Sequence, residues 1–145
     1  MTWDGDISGM GQLAERVADL AEVPARVAAK VAPEIEGLIG GEFDAGVDPY
    51  GAAWEPLAEA TLDKGRAPPP LTDTGAMRAS VAVRPLAGAG VGVTIDHPAA
   101  PHQTGWSGKQ GTGPARPILP ERSELPPDWQ DVISEAVERE YRRAG

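Results

Sequence analysis

Apolar residues recur at three- or four-residue intervals along the first third of the chain: Leu13, Val17, Leu20, Val27, Val31, Ile35 and Leu38, with Pro24 keeping a place in the row. That period lines one face of a helix and leaves Glu15, Arg16, Asp19, Glu22, Arg26 and Lys30 largely off it. It predicts a helix over residues 12–39. Pro24 and Pro33 each lack an N–H and crowd the preceding turn, so a kink or break is expected near each. Gly40-Gly41 reads as the helix end, with an achiral residue at C′. Such a helix packs on a sheet or serves as an oligomer-forming arm. Ahead of it, residues 1–11 are Gly-rich, with Trp3 as the one large ring, and read as a flexible segment.

Further on the period changes to two. Val81, Val83 and Pro85 alternate with Ala82 and Arg84, and Val91, Val93 and Ile95 alternate with Gly92, Thr94 and Asp96. With Ala87-Gly88-Ala89-Gly90 between them, the runs Val81–Leu86 and Val91–Ile95 predict a β-hairpin. A one-turn helix over residues 74–79 precedes it, with Thr72 or Asp73 as N-cap.

The connecting segments are rich in turn residues. Phe43–Gly51 reads as a connector whose Asp48-Pro49-Tyr50-Gly51 forms a turn, Trp54 as an anchor for that loop, and the residues up to Leu62 as a short helical run. Arg66–Pro70 resembles a polyproline linker. After the hairpin, two prolines in Asp96–Pro101 end the strand, and Gly105–Gly113, with only Trp106 to pack, reads as a flexible excursion. Pro117–Leu119 suits a short third strand or an extended segment. A last helix over residues 128–143 carries Trp129, Val132, Ile133, Ala136, Val137 and Tyr141 as its apolar stripe, with Asp128 as cap and Arg139, Arg142 and Arg143 near its end.

These elements predict one α+β domain over residues 1–145. A small antiparallel β-sheet packs with the long N-terminal helix and the C-terminal helix. The hairpin and motif core occupies residues 71–119, and the connections are long Gly/Pro-rich loops.

Composition narrows the function. The net charge is −9, from 22 acidic and 13 basic residues, which argues against a surface built to bind nucleic acid. With no Cys, disulfides and thiolate chemistry are excluded. No leader or membrane-spanning run is expected, so the cytoplasm is the expected compartment. His97 and His102 lack the i, i+4 helical spacing of a metallohydrolase, the serines lack a nucleophile-elbow context, and Lys109 sits in no phosphate-binding loop. Glu34 and Glu36, or Glu121 and Glu124, read as solvated acids. These patterns predict no enzyme, no metal and no cofactor. Arg78 and Arg116 each stand alone beside structural punctuation, in D-T-G-x-x-R and P-A-R-P. Each either pins a loop or crosses a subunit boundary with its guanidinium, or is simply exposed.

The order D-P-x-G-x-x-W-x-P-L (Asp48–Leu57), L-x-D-T-G-x-M-R-x-S-V (Leu71–Val81), hairpin, H-Q-x-G (His102–Gly105) and P-A-R-P-x-L (Pro114–Leu119) resembles the phage virion morphogenesis family. This is the Mu G-like group of tail completion or head–tail joining proteins. The resemblance covers roughly the middle half of the chain, and the two terminal helices fall where the family would have them. Two departures stand out. His97-Pro98-Ala99-Ala100-Pro101 replaces the aromatic residue and regular short helix that precede H-Q-x-G in family members, and the segment from Gly105 to Pro114 is Gly-rich.

The resemblance implies a structural role at the head–tail junction. A tail terminator would form a homo-oligomeric, typically hexameric, ring on the tail tube protein and join it to the head–tail connector. DNA would pass through the lumen without specific binding, and no membrane would be involved. Trp54, Asp73, Thr74, Gly75, Arg78, His102, Gln103, Gly105, Trp106, Arg116 and Pro117 are the candidate assembly-interface or loop-pinning residues. A head-side connector or minor capsid-assembly protein, and a prophage-encoded binding module or small hydrolase, are the alternatives.

Overall fold

The computed structural model describes residues 8–59, 63, 65, 70–71, 75–87, 90–95, 99–109, 111–122 and 124–144, and for residues 8–14, 100 and 111 the backbone alone. Residues 1–7 of the flexible segment expected at the start, much of the helical run towards Leu62 and most of the polyproline-like linker lie outside these residues, whereas residues 8–11 of that segment are helical and belong to the first element, which corrects the expectation for them.

The first element, α1 (Ser8–Ala45), is a single helix of 38 residues that continues through Pro24, Pro33 and Gly40-Gly41. The expected breaks and the expected end at Gly40 are therefore corrected. Both prolines are exposed, as are Leu20 and Ala29, whose carbonyls they leave without an intrahelical donor, so water can serve those groups. The helix ends instead at Gly46, whose φ of 68° is the left-handed turn that glycine adopts without strain. There the Gly46 and Val47 N–H groups both donate to the Glu42 carbonyl, at 2.8 and 3.1 Å, the second in the Schellman pattern.

The extra turns change the core. Phe43, expected in a connector, is fully buried with Ile35 and Ile39 on α1. Burying each such side chain stabilises the fold by about 1.5–3 kcal/mol. The covered stripe runs from Val23 through Ala28, Val31 and Ala32 to Phe43, whereas Val17 and Leu20 are 57% and 40% exposed. The N-terminal part of the expected row thus lies outside the core.

Helix α2 (Ala76–Ser80) leads into β1 (Ala82–Pro85), which pairs antiparallel with β2 (Val91–Thr94), Ala82 opposite Thr94 and Pro85 opposite Val91. This is the hairpin that the period of two predicts. Val81 and Val83 face the core, and Leu86 N–H donates to Gly90 O at 2.7 Å to close the turn. Gly75 occupies the N-cap of α2 with φ 71° and no side-chain cap. The caps expected at Thr72 or Asp73 lie outside the described residues.

A second hairpin replaces the expected flexible excursion: β3 (Trp106–Gly108) pairs with β4 (Gly111–Gly113). Before it, α3 (Ala100–Thr104) supplies a short helix ahead of Gly105, with Pro101 in its first turn, where the missing N–H costs no bond.

The last helix, α4 (Pro127–Ala144), begins one residue before Asp128, which lies in its first turn and not at its cap. Trp129 and Ala136 are buried as expected, but Tyr141 is 49% exposed and Glu140 is the buried residue of the last turns. The polar tip of Tyr141 suits solvent, while Glu140 accepts from Arg26 Nε at 3.2 Å. Helix α1 is the shared element of the α+β fold: α4 and the β1–β2 hairpin both pack on it. Among the described residues no helix is long and apolar enough to cross a membrane.

Candidate functional site

Three of the motif segments meet at one extended stretch, Arg116–Leu119. This stretch forms no strand; side chains hold it in place. The Trp54 indole N–H donates to Pro117 O at 2.7 Å, while its ring packs edge-on to Phe43 with centroids 5.5 Å apart. The anchor role expected for Trp54 is thus specific: one side of the ring belongs to the core and its polar edge holds the Pro117 carbonyl.

Arg116, only 9% exposed, reaches back to the same loop as Trp54. Its Nε donates to Glu55 O at 2.7 Å and its Nη2 to Pro56 O at 3.0 Å. Two successive carbonyls thus receive two N–H groups of one planar fork, a geometry a lysine cannot reproduce. Arg116 pins a loop within its own chain.

The H-Q-x-G segment closes the other side. Arg116 N–H donates to His102 O at 2.6 Å. The Gln103 amide Nε2 donates to Leu119 O at 2.7 Å and to Glu121 Oε1 at 3.2 Å, and its Oε1 accepts from the N–H groups of Ile118 and Leu119 at 2.8 and 2.9 Å. Gln103 therefore does for this stretch what a neighbouring strand would do. It leaves Ile118 fully buried with its N–H satisfied.

Gly105 has φ 80°, and a Cβ there would lie 3.1 Å from Gly113 O, so the entrance to the β3–β4 hairpin requires glycine. Trp106 lies over Gly113, closely enough that any Cβ on Gly113 would overlap the indole, yet Trp106 remains 41% exposed.

The turn before Trp54 is built by Asp48, whose Oδ1 accepts from the N–H groups of Tyr50 and Ala52 at 2.8 and 3.0 Å. Tyr50 then ties the loop to the segment ahead of α4. Its hydroxyl donates to Glu124 O and accepts from Arg122 N–H, and the Arg122 guanidinium lies 4.4 Å from the ring centroid.

Arg78 lies apart from this assembly. Its Nη2 donates to Asp44 Oδ2 at 2.8 Å and its Nε to Gly40 O at 3.3 Å, fastening α2 to the last turns of α1. A Cβ on Gly40 would lie in ordinary contact with the guanidinium, at 3.5 Å, and Gly40 meets Arg78 through its carbonyl inside the helix instead of ending it. Asp73 and Thr74 lie outside the described residues, and Gly75 stands beside Arg78 as the N-cap of α2.

Burial sets the electrostatics. Glu42 is 7% exposed with Oε2 unpaired among the described residues. Burial first, and the Asp48 carboxylate second, push its pKa up to about 9, so it is protonated at neutral pH. His102 is held below its ordinary value by burial and then by the Arg116 charge. Burial lowers Arg116 too, partly offset by Glu55, but a guanidinium stays charged. Glu42, Tyr50 and the Arg26–Glu140 pair were not among the sequence candidates. Glu42 fell between the expected helix end at Gly40-Gly41 and the connector, and Glu140 off the expected apolar stripe, so neither carried a signal.

The arrangement orders main chain. Among the described residues no group of three or more His, Asp or Glu could hold a metal ion. Compared with family models, with curated proteins and with solved structures, the chain matches none.

Proposed function

We propose that this chain is a structural virion protein of the phage head–tail junction, a tail terminator or tail completion protein. It would form a ring, typically hexameric, that caps the tail tube and meets the head–tail connector. The observation that carries this reading is the interlock of the motif segments around Arg116–Leu119. Trp54, Gln103 and Arg116 spend their polar atoms on the carbonyls and amides of distant loops. Residues used in that way preserve the shape of a surface, which is what an assembly component needs, and they leave little free to act on a substrate.

The charge supports the same reading. A chain with net charge −9 lining a channel would repel DNA phosphates and let the genome slide past. Binding energy in such a ring comes from surface buried between subunits.

The test is the native mass of the protein alone and after mixing with tail tubes. A ring-sized species, or a monomer that becomes a ring only on tube ends, supports tail completion. A monomer that ignores tubes sinks it, and co-purification with heads would point to a head-side connector instead.

A further inference from the structure

The β3–β4 hairpin stands out from the domain, and its substantial packing is between its own two strands. A hairpin of this size is marginal in water by itself. It nevertheless keeps its one large side chain at the surface: the Trp106 indole lies over Gly113 and is 41% exposed, with Ser107, Gly108, Lys109 and Thr112 exposed beside it. The charge here is opposite to that of the whole chain. Of the 22 acidic residues only Asp96 falls within residues 74–120, which hold Arg78, Arg84, Lys109 and Arg116. Arg78 is paired with Asp44 and Arg116 is buried. Lys109, next to the hairpin turn, is exposed and has no ion-pair partner among the described residues.

A surface of the complementary kind lies at the start of α1. The helices run antiparallel: the Tyr50–Glu124 contact places the start of α4 near the end of α1, and Glu140 meets Arg26. Beyond Glu140, α4 has only Tyr141–Ala144 left, about 6 Å of helix, and every residue from Glu15 to Glu22 is exposed. At about 100° per residue, Glu15, Asp19 and Glu22 share one face of this overhang, and the small Ala18 and Ala21 separate them from Val17. Leu20 and Arg16, the one cation of this stretch, lie on the opposite flank of Val17. Residues 1–7, which precede the helix in the sequence, add Asp4 and Asp6 and no Lys or Arg. An apolar strip beside carboxylates is the counterpart of an indole beside an ammonium.

The hairpin does not reach that surface within its own molecule. Its base is fastened through Arg116 and Pro117 to the Trp54 loop, and Trp54 packs on Phe43. Phe43 lies about 35 Å along α1 from Leu20, whereas strands of three residues extend only about 10 Å. We propose that the β3–β4 hairpin docks across the α1 overhang of a second copy of this chain, with Trp106 against Val17, Ala18 and Ala21 and Lys109 beside Glu15 and Glu22. The contact is head to tail: each copy offers a hairpin to one neighbour and an overhang to the other, and such contacts close into rings when the rotation permits. The contact is argued from the molecule itself, but its place in a virion rests on the tail-completion reading.

The test is light scattering on the full chain over a range of concentrations. Wild type is expected to rise above 15.1 kDa with concentration. Lys109→Glu and Glu15→Lys/Glu22→Lys alter exposed positions only, and the Glu22–Arg26 pair lost in the second is an exposed one that contributes little. Each variant, with its circular dichroism unchanged, is expected to associate about tenfold more weakly. Their equimolar mixture sets opposite charges against each other at both kinds of junction and is expected to associate as wild type does. A wild type that stays monomeric, a folded variant that associates normally, or a mixture no better than its components overturns the proposal. The last result is the one that cover of the overhang by another segment of the same chain produces. Association of the wild type without tube capping sinks the tail-completion reading and leaves this contact standing. Tube capping by Lys109→Glu at the wild-type level does the reverse.

Discussion

The Gln103 side chain forms a two-bond amide pair with the backbone of Leu119, donating to its carbonyl at 2.7 Å and accepting from its N–H at 2.9 Å. A β-ladder rung is thus supplied by a side chain 16 positions away in the sequence. Gln103→Glu removes the donor and turns a carboxylate toward the Leu119 carbonyl and Glu121. We expect a loss of about 1–3 kcal/mol in urea unfolding, with faster hydrogen exchange at the Ile118 and Leu119 amides. Unchanged exchange there would contradict the assignment.

Arg116→Lys keeps the charge and loses the fork. One ammonium cannot hold Glu55 O and Pro56 O in the same geometry. The expected cost is about 1–3 kcal/mol, together with new proteolytic cleavage near Glu55. Wild-type cleavage resistance would count against the pin.

The Arg26–Glu140 pair tests a different balance, because the Glu140 side chain is 2% exposed and that of Arg26 is 32% exposed. Arg26→Met strands a buried carboxylate and is expected to cost about 2–3 kcal/mol, below the full value for a wholly buried pair because Arg26 is partly solvated. Adding Glu140→Leu should recover most of that loss, since an apolar pair needs no partner. Thermal melts of both variants decide it.

Glu42 makes stability depend on pH. In the folded state its pKa is raised from 4.5 to about 9, so between those values the folded protein retains a proton that the unfolded chain has released. The contribution is therefore fully present below about pH 4.5 and is lost steadily up to about pH 9, at a limiting slope of about 1.4 kcal/mol per pH unit. Glu42→Gln removes the titration. It should melt higher than wild type at pH 8, and the difference should shrink by pH 5. His102, lowered by burial, acts in the opposite sense: its contribution is present above its ordinary pKa of 6.5 and falls away as pH drops through that value.

Regular periods made part of this fold legible. The alternation of Val81, Val83 and Pro85 with Ala82 and Arg84 is local information, and the hairpin follows it. The ends of α1 were less legible because Gly40 and Gly41 suggest a C-cap, whereas the helix runs through both and ends at Gly46. The expected sites divide in the same way. For Arg116 the sequence left loop pinning, a subunit contact and simple exposure open, because its partners Glu55 and Pro56 lie about 60 positions earlier and contribute only carbonyls, which every residue has. Tyr141 and Glu140 exchange their expected places because a one-residue rotation on a helix moves a side chain by about 100°. The partner that Glu140 meets there, Arg26, lies 114 positions away and gives no local signal.

The β3–β4 hairpin leaves and rejoins the domain at a single doorway, where Arg116 N–H meets His102 O at 2.6 Å. Its two ends are fastened to each other by the domain, so its length is uncoupled from everything beneath it. Lengthening a loop whose ends are already joined costs little, about 0.6 kcal/mol per doubling. This chain can therefore exchange, extend or shorten the Trp106–Gly113 excursion as a replaceable module, refitting one exposed surface to a new neighbour without renegotiating the core.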